Sequence, residues 1–98
     1  MLEPVKIVQI AEAVAKSKLT AGVVEGAQAA AVIDSEGREA LRITIVIKSG
    51  AAAKLNGDAV LDTLVQIQDR LRAAGEERFG IVEYATKAEL EAGDDSES

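Results

Sequence analysis

Arg42, Thr44 and Lys48 stand at even spacing in an alternating apolar and polar run, so they share one face of a strand. Gln28 falls across from Thr44 in the hairpin described below, and Tyr84 belongs to a third strand that can lie nearby. A guanidinium, an ammonium, a hydroxyl, a carboxamide and a phenol on one face are donors for an anionic ligand or an acidic partner segment. The only carboxylate expected on that face is Asp34, at the hairpin tip. The plainer reading is the wet face of an antiparallel sheet.

The remaining chemistry-bearing residues read as structural. Asp58, Asp62 and Asp69 lie on roughly one side of a helix and could offer carboxylates to a divalent cation or to acid–base work. An exposed helix surface does nothing to raise their pKa, and Arg70 and Arg72 are near in sequence, so a solvated face is the better reading. Lys48-Ser49-Gly50, continuing through Lys54 to Gly57, has the look of a phosphate loop without its spacing, and Asp58 follows where a lysine is needed. An acid at that helix start repels phosphate. The chain has no His and no Cys, which removes thiol nucleophiles, disulfides, Cys/His zinc sites and a Ser-His-Asp triad built within one chain. No cofactor and no metal are expected.

These residues must be held by elements that the patterning makes readable. Residues 3–17 predict a helix, with Pro4 in the first turn and Ile7, Ile10, Ala11 and Val14 at helical spacing. Val5, Val8 and Ala15 widen its apolar arc, so it should be covered on more than one side. The alternative is a strand over residues 5–10, which are rich in β-branched side chains. Ala27–Asp34 and Arg38–Lys48 flank Ser35-Glu36-Gly37, a three-residue hairpin loop ending in glycine. That register sets Ala31 opposite Leu41, Ala29 opposite Ile43 and Ala27 opposite Ile45. Small residues facing large ones leave a trough, which the amphipathic helix of residues 58–74 should roof. Its expected buried stripe is Val60, Leu64, Ile67, Leu71 and Ala74, widened by Leu61 and Val65. A third strand spans residues 78–86, and Thr86 with Glu89 has capping-box spacing for a last helical turn.

The expected architecture is α+β, one small domain over residues 1–92 in α-β-β-α-β order. Its three-stranded mixed sheet combines the β-hairpin with a parallel strand reached by a right-handed helical crossover. A short C-terminal helical turn and a disordered acidic tail at 93–98 complete it. Such a sheet has open edges and a partly apolar second face, so a homodimer is expected.

The net charge of −6 comes chiefly from the end of the chain, where Glu89, Glu91, Asp94, Asp95 and Glu97 meet no base. The rest is nearly neutral, which argues against a DNA mimic and against nucleic-acid binding. No secretory signal and no apolar run of about 20 residues is present, so membrane association is not expected and a cytoplasmic location is. The alanine-rich composition points to a bacterial source. The function that fits best is a non-catalytic protein-interaction or regulatory module acting as a homodimer. The alternatives are an acidic, antitoxin-like neutraliser of a basic protein and a small carboxylate-based enzyme.

Overall fold

The computed structural model describes residues 2–20 and 22–95. Pro4 opens helix α1 (Pro4–Leu19), where its missing N–H costs no bond, so residues 5–10 are helical. Strands β1 (Val24–Ile33) and β2 (Glu39–Ile47) pair antiparallel. A short 3-10 turn at Ala51–Lys54 leads to helix α2 (Gly57–Ala73), whose cap Asn56 accepts from the N–H groups of Asp58 and Ala59. Strand β3 (Phe79–Thr86) lies parallel to β2, and helix α3 (Lys87–Asp95) follows. The chain is thus an α+β domain with a three-stranded mixed sheet in the order β1-β2-β3. The last helix is longer than one turn. Residues 96–98 of the expected tail lie outside the described residues.

The hairpin has the expected register, with Ala31, Ala29 and Ala27 opposite Leu41, Ile43 and Ile45. Gly37 closes the loop at φ 83°, a backbone that favours glycine. The Asp34 carboxylate accepts from the N–H groups of Glu36 and Arg38, each at 2.9 Å. These bonds, that to Arg38 foremost, hold its pKa below the usual carboxylate range.

Two expectations about packing are corrected. The hairpin is roofed mainly by α1, which lies against β1 and β2, while α2 packs on α1 and on β3. A helix that connects two parallel strands must pass over the pair it joins, which carries α2 toward β3 and leaves the alanine side of the trough to α1. The buried line of α2 is also rotated. Thr63, Ile67 and Leu71 are buried, Ala74 is exposed, and Leu61 and Val65 are 59% and 50% exposed. Thr63 tolerates burial because its hydroxyl donates to the Ala59 carbonyl at 2.7 Å. One core unites Ile7, Ala11 and Val14 of α1, Leu41, Ile43, Ile45 and Ile47 of β2, and Ile67 and Leu71 of α2.

A buried ion pair, not foreseen in the sequence, locks the start of the chain to the loop before β3. Glu76 is 2% exposed and accepts from the N–H of Leu2 at 2.7 Å and from the Arg78 N–H at 3.0 Å. The Arg78 guanidinium adds bonds of 2.8 and 3.0 Å. Those guanidinium bonds, before the backbone ones, push the Glu76 carboxyl far below its ordinary value of 4.5. A depressed folded-state pKa gives stability that is complete above the ordinary value and drains as the pH falls below it. Glu76→Gln should therefore cost about 3 kcal/mol at neutral pH. In urea unfolding, the wild-type chain should lose more stability between about pH 6 and pH 3 than the variant does; equal losses would show that Glu76 is not the linked group.

Candidate functional site

The side of the sheet away from α1 and α2 carries Gln28 and Ala30 of β1, Arg42, Thr44 and Val46 of β2, and Ile81 and Glu83 of β3. Three of the five residues singled out in the sequence meet here. Gln28, Arg42 and Thr44 line a shallow pocket of about 230 Å³ together with Glu83 and Leu90 of α3. Thr44 is nonetheless buried, although the alternation placed it on a wet face, and Val46 beside it is buried as well. Lys48 is exposed just past the end of β2 and is not part of the pocket lining.

Two features alter the chemistry expected of this face. Glu83 neighbours Thr44 across the parallel ladder, and its carboxylate lies 3.3 Å from Arg42 Nε. The guanidinium thus already has an anion, in a pair exposed enough to be weak. Tyr84 is on the other face, a correction to its grouping with Arg42. It stands beside Ile45 in the ladder, and paired residues of parallel strands share a face, so its ring packs toward the core and α2. There it lines a groove with Val60, Leu61, Leu64 and Val82. Burial raises the Tyr84 pKa, an effect the nearby Thr63 hydroxyl partly offsets. The Thr63 proton goes to Ala59, however, and Tyr84 Oη makes no bond of hydrogen-bond geometry. Among the described residues, no cluster of three His, Cys, Asp or Glu side chains is placed to hold a metal ion. Nor is any helix among them long and apolar enough to cross a membrane.

The edges of the sheet differ more sharply than its faces. On β3 the outward-facing backbone groups belong to Gly80, Val82, Tyr84 and Thr86. The Gln68 carboxamide takes both groups of Gly80: its oxygen accepts from Gly80 N–H at 3.2 Å and its Nε2 donates to the Gly80 carbonyl. At the other end, Thr86 N–H donates to Glu89 Oε1 at 2.8 Å, and Glu89 N–H donates to Thr86 Oγ1 at 3.1 Å. That is the capping box read in the sequence, here also closing one end of an edge. Between these seals, Val82 and Tyr84 present ladder positions without a partner among the described residues. A Cβ at Gly80 would stand 3.2 Å from Ile43 Cδ1 and 3.3 Å from Gln68 Nε2, so these side-chain ends would have to give by a few tenths of an ångström to admit it.

The edge of β1 has no such closure. Asp34 N–H donates inward to the Arg38 carbonyl, so by alternation Val32, Ala30 and Gln28 bond to β2 and Ile33, Ala31, Ala29 and Ala27 face outward. From Gly26 to Ile33 the strand has no charge and no proline. Proteins usually guard such an edge with lysine, proline or a covering segment. None of these guards the described β1 edge.

No family model, curated protein or solved structure matches this chain. Function must be read from its own geometry.

Removing the Gln68 clasp deletes two partners of Gly80, so Gln68→Ala should cost about 1–2 kcal/mol in chemical denaturation. Gly80→Ala should also destabilise. The two effects should add to less than their sum, because the Gln68 side chain is one of the atoms the new methyl meets. Strict additivity would mean that the clasp does not form in solution.

Proposed function

We propose that this chain is a non-catalytic protein-interaction module that works as a homodimer through strand addition at β1. The observation that carries this reading is the contrast between edges: β3 is closed at both ends by Gln68 and Glu89, whereas β1 is bare from Ala27 to Ile33. Backbone groups in a row bind another strand without needing side-chain chemistry, and the alanines keep the approach clear. Two carboxylates with lowered pKa values are taken up in architectural roles. Glu76 is occupied by Leu2 and Arg78, and Asp34 by the turn it closes. The absence of cysteine from the sequence fits a reducing cytoplasm.

Sedimentation at micromolar concentration should give a species of twice the 10.2 kDa chain mass. Ala31→Pro removes an outward N–H that makes no bond within the chain, and an edge strand tolerates proline at such a position. This variant should keep its circular dichroism and sediment as a monomer. A wild-type monomer, or a variant that stays dimeric, would refute the reading.

A further inference from the structure

Pairing through β1, on which this inference rests, leaves the register of the pair open. The geometry points to an antiparallel β1 pair with its two-fold axis between the two Ala30 residues, joining two three-stranded sheets into one of six. In that register Ala27 faces Ile33 of the second copy and Ala29 faces Ala31. Each is a narrow pair that exchanges two hydrogen bonds, so every outward group from Ala27 to Ile33 is used. An axis at Ala29 would set Ile33 against Glu25, where the ladder is already irregular between Val24 and Gly26.

Side chains agree with the Ala30 axis. The crossing there is a wide pair, in which Cα atoms come to about 4.5 Å and side chains crowd, so a methyl group suits it. Gln28 meets Val32 on the same face, and no like charges are set opposite one another along Gly26–Ile33, despite the net charge of −6. The first turn of α1 also lies beside the axis, since Pro4 and Ile7 share a notch with Ala29, Ala30 and Ala31. Val5, 67% exposed, is in that turn, with Glu3 and Lys6 around it carrying opposite charges. The two-fold brings these turns together with no net charge, adding apolar contact to the paired edges. A second copy supplies that matching turn; an unrelated strand does not.

The chain has no cysteine of its own, so single-cysteine variants are clean probes. Under mild oxidation Ala30→Cys should run mostly as a covalent dimer, because its Cα separation falls within disulfide range. Gln28→Cys alone should stay uncrosslinked, its two copies being about 14 Å apart, while a mixture of Gln28→Cys and Val32→Cys should crosslink. A wild-type chain that sediments as a dimer while Ala30→Cys fails to crosslink, or while Gln28→Cys crosslinks by itself, overturns the register and leaves edge pairing standing. A wild-type monomer overturns both.

Discussion

The alternation of small and large side chains across the hairpin governs this structure. Ala27, Ala29 and Ala31 stand beside Ile45, Ile43 and Leu41, so the helix-facing side of the sheet is low along β1 and high along β2. A helix can settle into such a trough, and α1 does, burying Ile7, Ala11, Val14 and Ala15. Burying each large aliphatic side chain is worth about 1.5–3 kcal/mol. The same alanines leave the outer edge of β1 without bulk or charge. One substitution pattern thus serves the core on its inner side and exposes a pairing surface on its outer side.

Charged groups hold the fold in proportion to how far water is excluded from them. Glu76 and Arg78 are enclosed, and Glu76 joins Leu2, two residues ahead of α1, to the loop before β3. Losing one partner there strands a buried charge. Arg42 and Glu83 lie at a similar separation but on the surface, with side chains 59% and 46% exposed, where solvent screening leaves about 1 kcal/mol or less. The open face therefore gains order from Leu90 and the buried Thr44 and Val46 more than from its ion pair.

The two edges answer one physical problem in different ways. Gln68 reaches from α2 and gives Gly80 the bonds a neighbouring strand would give, and Glu89 does the same for the Thr86 N–H. Closing an edge in this way requires a side chain from another element at the right height. α2 and α3 provide it for β3. Along β1, α1 sits on the face and sends no polar side chain around the edge, so the row of backbone groups stays available.

Period-two alternation, Gly37 in the loop, Pro4 at the start of α1 and the Thr86–Glu89 spacing are local signals. They make the hairpin register and the mixed sheet readable, along with the order of every element after residues 5–10, where helix and strand both fitted and the helix formed. Local spacing carries no information about which neighbour lies across a sheet or beside a helix. The rotation of α2 that buries Thr63 and exposes Leu61 depends on α1 and β3 at once, and the face of Tyr84 depends on how β3 docks against β2. Glu83 beside Arg42, Gln68 on Gly80 and Glu76 holding Leu2 across 74 positions likewise exist only once distant segments meet. Those are settled by the three-dimensional packing, because each is a contact between residues on separate segments, and local spacing does not specify which segments meet.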